Sequence, residues 1–216
     1  MLVWIDLETT GLDHSKEKIL EVACVITDDK LVELARFQRV TSEAQYCDLS
    51  KVNAYVRKMH VDNGLWNESI LASDDTTFMI GENGQWILDD QGDPKIAQPA
   101  ASRQATDADL CRFIHHACRD HGVEVGEKKG PQAAGSTIGF DRAFMQVHLP
   151  RAHALLHYRS LDVTSLNEFA KRFVPWVYEA RPRGNDGVSK HRAMDDILES
   201  LEVARHYARN LTVVSS

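Results

Sequence analysis

The sequence predicts an α/β domain that opens on a β-meander and continues with strands alternating with amphipathic helices. Three observations carry this. Residues 2–8 alternate, with Leu2, Trp4, Asp6 and Glu8 on one face and Val3, Ile5 and Leu7 on the other. Ile19–Thr27, rich in Val and Ile, and Leu31–Val40 follow as strands joined by the short turn Asp28-Asp29-Lys30. Later come two short apolar strands, Gln132–Thr137 and Tyr158–Val163, among helical patterns.

The remaining elements can be read in order. A polar helical stretch runs from about Asp48 to Leu71. Residues 73–105 differ in character: Thr76–Ile80, the turn Asn83-Gly84 and Gln85–Leu88 predict a hairpin, followed by an Asp/Gly/Pro/Ala/Ser-rich loop. This segment reads as a surface insertion in a single domain spanning 1–216. Thr106 with Asp109 predicts a helix cap, and Leu110, Phe113, Ile114, Ala117 and Cys118 form an apolar stripe behind it. Thr164 or Ser165 caps a helix that turns Leu166, Phe169, Ala170 and Phe173 inward. Pro182–Lys190 is a polar loop, and Ala193–Asn210 is the last helix.

The chain has 216 residues, 43% of them apolar, enough for one core. No apolar run reaches transmembrane length and no signal peptide precedes the first strand, which predicts an intracellular, cytoplasmic or mitochondrial protein with no membrane partner. Cys24, Cys47, Cys111 and Cys118 form no CxxC pair and read as reduced structural thiols. A net charge of −7 argues against a protein that grips long nucleic acid through many phosphates. It leaves room for a nuclease with a short substrate.

The chemistry lies in three acidic clusters. Asp6 and Glu8, two apart on a strand, project from one face beside Leu2 and Trp4, so that face is covered. A buried carboxylate is costly without a balancing cation, and several hard oxygen ligands point to a metal site for phosphodiester hydrolysis. Asp141 follows Gly139-Phe140 at the start of a helix, where an acid also favours the helix N-terminus. In the last helix Asp196 shares a face with Ala193, Ser200, Val203 and Tyr207, while Asp195 shares one with Glu199 and Glu202, so Asp196 turns inward. His191 lies five residues before Asp196, in the loop ahead of the helix, free to reach a metal cluster.

These motifs resemble the DEDDh branch of the 3′-to-5′ exonucleases, and within it the oligoribonucleases. The resemblance is carried by Trp4-Ile5-Asp6-Leu7-Glu8 with Thr10-Gly11-Leu12, by Gly135–Arg142, by His191–Ile197 with its H-x4-D spacing, and by His157–Val163. It covers the chain apart from residues 73–105. It implies a ribonuclease-H-like fold, in which parallel strands join the meander in a mixed sheet flanked by helices, and a homodimer. It implies hydrolysis of short single-stranded RNA, two to about five nucleotides long, from the 3′ end to nucleoside 5′-monophosphates. Asp6, Glu8, Asp141 and Asp196 would hold two Mg²⁺ or Mn²⁺ ions about 3.5–4 Å apart. One ion would help generate hydroxide and the other stabilise the leaving 3′ oxygen, with His191 as the general base.

The resemblance also implies substrate contacts. Leu12 would wedge against the bases and Tyr55, five before His60, would stack on one. His60, Arg159 and Thr164 would cap the 5′ phosphate, with Thr137 of the second motif among the contacts and Tyr158 reaching in from a dimer mate. Tyr55 stands in place of the usual Trp, Ser160 where the family often has Tyr, and Thr164 where Ser is usual. Arg181, Arg183, Lys190 and Arg192 make the most basic stretch, a guide for phosphate or a solvated loop. Two other functions compete: a DEDDh exonuclease on longer RNA or DNA 3′ ends, and a catalytically silent nucleic-acid-binding module.

Overall fold

The computed structural model describes residues 1–48, 50–71, 77–78, 96–97, 102–183 and 191–211. Strands β1 (Leu2–Thr9), β2 (Ile19–Thr27) and β3 (Glu33–Val40) form the meander. After a 3-10 turn at Glu43–Tyr46 come α1 (Ala54–Asp62) and α2 (Leu65–Leu71). The expected single helix is broken at Asn63-Gly64, where Gly64 takes φ +83. That left-handed conformation favours glycine and lets α2 leave α1 at a new angle. β4 (Thr77–Phe78) and β5 (Ile96–Ala97) pair antiparallel as a separate two-stranded ladder. The Asn83-Gly84 turn and the Gln85–Leu88 strand lie outside the described residues.

Helix α3 (Arg103–Asp120) precedes β6 (Gln132–Gly135), α4 (Gly139–His148) and α5 (Pro150–His153). β7 (Ser160–Asp162), α6 (Val163–Phe173), α7 (Pro175–Glu179) and α8 (Ala193–Leu211) complete the order. The main sheet runs β3-β2-β1-β6-β7. The meander pairs are antiparallel; β1 with β6 and β6 with β7 are parallel. This is the mixed, ribonuclease-H-like sheet. No helix among the described residues is long and apolar enough to cross a membrane.

Both faces of the sheet are covered. Val3, Ile5 and Leu7 pack with Leu110 and Ile114 of α3 and Phe144 and Met145 of α4. Trp4 packs on the other face with Ala193, Met194, Ile197 and Leu201 of α8. Its indole Nε1 donates to Thr27 Oγ1 at 3.0 Å, so the ring is buried without an orphaned donor. β2, in the middle of the meander, is buried along its whole length. The four cysteines are free thiols, Cys24 and Cys118 within the core.

Two caps fall elsewhere than the sequence suggests. α3 begins at Arg103 with Ser102 as its N-cap, so Thr106 lies within the helix and the last residues of the expected insertion are helical. Asp109 instead pairs with Arg39 of β3 and with Arg112. At α6 the cap is Asp162, whose Oδ1 accepts from Thr164 N at 2.8 Å and Ser165 N at 3.3 Å. A carboxylate there satisfies two orphan helix N–H groups and meets the positive end of the helix dipole.

Candidate active site

The site forms where β1 outruns its parallel neighbour. β2 pairs with β1 from Leu2 to Thr9, whereas β6 pairs with it only from Leu2 to Trp4. Asp6 and Glu8 lie on the stretch of β1 beyond that short ladder, on the face that Trp4 presents to α8. The first turn of α8 supplies Asp196. One carboxylate oxygen from each of Asp6, Glu8 and Asp196 lies within 4.8 Å of the others. Asp195 is outside this group, as the helical face predicts, although it is half-buried rather than turned fully to solvent.

Asp141 stands in the first turn of α4, and its Oδ1 accepts a hydrogen bond from Leu7 N at 3.0 Å. It is outside the tight triplet but close enough for its charge to act on Asp6. Asp141 is almost wholly buried, which pushes its carboxyl up to about 7 against the pull of its backbone hydrogen bonds. Burial pushes Glu8 up to about 8, helped by Asp196 and Glu21 and opposed by Arg192. Asp6 is raised by burial first, then by Asp141, Glu8, Asp196 and Glu21. The protein has gathered mutually repelling, desolvated carboxylates. A hard divalent cation such as Mg²⁺ or Mn²⁺ relieves that repulsion and takes oxygen ligands, so the donor set fits one.

His191 sits just ahead of α8, half-buried, with φ 47. A left-handed backbone at a non-glycine residue costs about 1–3 kcal/mol and persists only where the surroundings hold it. Asn63 Nδ2 donates to the His191 carbonyl at 2.6 Å.

The expected substrate contacts separate into groups. Leu12 is 82% exposed just after β1, and Tyr55 in the first turn of α1 is 73% exposed, so both present apolar surface to solvent. Thr137 (φ 53) and Thr164 come together, their hydroxyls 3.1 Å apart, and Thr137 N donates to Thr164 Oγ1 at 3.0 Å. Tyr158 and Arg159 precede β7, and the Arg159 guanidinium lies over the Tyr158 ring, 5.2 Å from its centroid.

His60 lies at the end of β1. It has no exposed surface; Nε2 lies 3.0 Å from the Thr9 carbonyl and 3.8 Å from Glu8 Oε2. Its Nε2 is thus taken up at the end of β1, while its buried Nδ1 has no hydrogen-bond partner among the described residues. Burial lowers its pKa, against the hydrogen bond to the Thr9 carbonyl, which raises it.

Several residues escaped the sequence reading. Arg142 Nη1 donates to the carbonyls of His157 (2.8 Å) and Tyr158 (3.1 Å) and to Ser160 Oγ (2.9 Å), fixing the segment that carries Tyr158 and Arg159. Glu21, Glu68 and Arg192 form a partly buried ion-pair network whose innermost member, Glu21, pairs in register with Glu8. Glu21 had a signal: it is the one acid in Ile19–Thr27, an otherwise apolar strand. The reasoning applied to Asp6 applies to it equally. Arg142 and Glu68 had no such signal, because their partners are remote carbonyls and a residue 124 positions away.

The fold and the acidic site define an exonuclease: the sequence profile of the exonuclease family RNase_T matches residues 3–65 and 111–204. The chain is 32% identical to an oligoribonuclease of Corynebacterium efficiens over 98% of its own length and 79% of the relative's. It is likewise 32% identical to the oligoribonuclease of Bordetella pertussis, over 99% of this chain and 96% of that one. The chain belongs to the oligoribonuclease family. Among solved structures it resembles Escherichia coli exonuclease I bound to a dT13 oligonucleotide, with TM-score 0.58, 13% identity, and coverage of 97% of this chain and 42% of that one. At that identity the likeness concerns the fold.

Proposed function

We propose that this enzyme removes nucleotides from the 3′ end of short single-stranded RNA, two to about five residues long, releasing nucleoside 5′-monophosphates. The observation that carries the reading is the convergence of Asp6, Glu8 and Asp196 oxygens within 4.8 Å, with buried Asp141 beside them. These four residues would hold two divalent cations, Mg²⁺ or Mn²⁺, which supply an activated water and neutralise charge on the scissile phosphate. His191 accepts the water's proton at an imidazole nitrogen as the water oxygen bonds to phosphorus and the bond to the 3′ oxygen breaks. The departing 3′ oxygen takes a proton from solvent.

Leu12 and Tyr55 bracket the bases, since both are exposed and apolar. The Thr137–Thr164 hydroxyl pair and Arg159 meet the 5′ phosphate. The exposed Tyr158 suits a homodimer in which it reaches the neighbouring copy's site. Residues 73–105 are an insertion; the span between the two family-matched segments, 66–110, contains them. Free thiols fit work inside the cell, in the cytoplasm or a mitochondrion.

The test is a time course with Mg²⁺ and 5′-labelled RNAs of about two, five and twenty nucleotides, alongside matched DNAs, lengths that bracket a short site and an extended single-strand track. Fast loss of the two-mer with slow attack on the longest RNA is expected. Steady shortening of the long strand, or comparable rates on DNA, would favour a general exonuclease; binding without cleavage would favour a silent module.

A further inference from the structure

Glu21 has no exposed surface, yet it carries four hydrogen bonds. Oε1 accepts from Gln38 Nε2 at 2.8 Å and from Arg192 Nη2 at 2.9 Å; Oε2 accepts from Arg192 Nε and Ala193 N, each at 3.1 Å. The same guanidinium reaches Glu68 on α2, with Nη1 to Oε1 at 3.0 Å and Nη2 to Oε2 at 2.9 Å. One arginine thus closes two carboxylate forks, a pattern that a lysine's point charge cannot reproduce. The forks fix the main chain at 192–193, and Asn63 holds the carbonyl of the residue before it. His191 is therefore gripped from both sides in its left-handed turn.

We infer that Arg192, anchored by Glu21 and Glu68, is a positioning residue that sets where the His191 imidazole is presented to the carboxylate site. Asn63 belongs to the same device. Because Asn63 ends α1 and Glu68 lies on α2, the device ties the helix bearing Tyr55 to the segment bearing His191. The inference rests on the reading of His191 as the proton acceptor. Arg192 touches no reacting atom; its effect runs through His191.

The test is a double-mutant cycle on the full-length chain with His191→Ala, Arg192→Gln and the pair, measuring kcat and KM on a dinucleotide with Mg²⁺. Arg192→Gln is expected to lower kcat about 10- to 100-fold, the scale of a misplaced catalytic group, with KM within about twofold. In the His191→Ala background the same change should cost less than about twofold, because the group it positions is gone. Losses that multiply in the pair would overturn the inference and leave His191 as the base. Full activity of His191→Ala would overturn the base and the inference together; full activity of Arg192→Gln would overturn the inference alone. Mn²⁺ titration by calorimetry reads the carboxylates separately, and a loss of binding in step with kcat would show that Arg192 acts on them instead. Should Arg192→Gln fail to fold, Glu68→Gln carries the same cycle, since it leaves the Glu21–Arg192 fork intact.

Discussion

Glu8 on β1 and Glu21 on β2 are register partners, two buried carboxylates opposite one another across an antiparallel pair. Like charges so placed repel. Glu21 is bound by Arg192, whereas Glu8 is left with its carboxyl pushed up to about 8. The sheet thus holds one acid neutralised within the protein and one that, in the proposed function, is kept in reserve for a cation.

That reserve makes the metal-free protein sensitive to pH. Glu8 and Asp141, raised to about 8 and about 7, keep a proton when folded that the unfolded chain has already released. Their contribution is complete below the ordinary carboxylate range and disappears as pH rises through the folded values. With metal chelated, Tm should fall as pH rises from the ordinary carboxylate range, about pH 4 to 4.5, to about pH 8, each group approaching a slope of about 1.4 kcal/mol per pH unit. Mn²⁺ displaces those protons, so its affinity should rise over the same window and its addition should restore Tm. Scanning calorimetry with chelator and with Mn²⁺ checks both; a flat metal-free profile would contradict the account.

Removing one charge from the cluster should separate activity from stability. Asp196→Asn keeps the shape of the side chain but deletes a repelling carboxylate and a ligand. Hydrolysis is expected to fall by at least about 1,000-fold, while metal-free Tm stays level or rises and the gain on adding Mn²⁺ shrinks. Thermal melts paired with dinucleotide assays decide this.

Tyr55 and Leu12 should behave in the opposite sense. Both are largely exposed, so Tyr55→Ala and Leu12→Ala should change stability by less than about 0.5 kcal/mol. Loss of one base stack is worth about 1–3 kcal/mol, which predicts a KM for the dinucleotide raised by about five- to 150-fold. Tyr55→Trp should retain binding.

Arg142 tests the link between local architecture and the 5′ end of the substrate. Arg142→Met frees the carbonyls of His157 and Tyr158 and loosens the segment that presents Arg159. A stability loss of about 1–3 kcal/mol is expected. The preference for a dinucleotide with a 5′ phosphate over one without should shrink, while the rate on the unphosphorylated form changes little. Competition between the two substrates reads this directly.

The sequence showed what local periodicity and charge can show. Alternation in β1 placed Asp6 and Glu8 beside Trp4, and helical spacing in α8 selected Asp196 over Asp195; both depend on neighbours a few residues away. It missed what depends on distant partners. Thr164 looked like a cap because its hydroxyl is of the right type, but Asp162 is two residues earlier and carries charge. The burial of His60 was hidden as well, since its hydrogen-bond partner Thr9 is 51 positions away. Arg192 read as part of a basic loop until Glu21 and Glu68 came within reach.

The parallel ladder between β1 and β6 stops at Trp4, four residues short of Glu8. Beyond that point the edge of β1 is met not by a strand but by a side chain, Asp141 at the start of α4. Gly135, the last residue of β6, sits so close that a Cβ there would stand 2.9 Å from the Ile5 carbonyl. Past it the chain swings away through Thr137 in its left-handed turn. A β6 continued alongside Asp6 would take the Leu7 N–H that now donates to Asp141 Oδ1 and would push that carboxylate away from Asp6. In this architecture the length of one strand decides where the fourth carboxylate can stand.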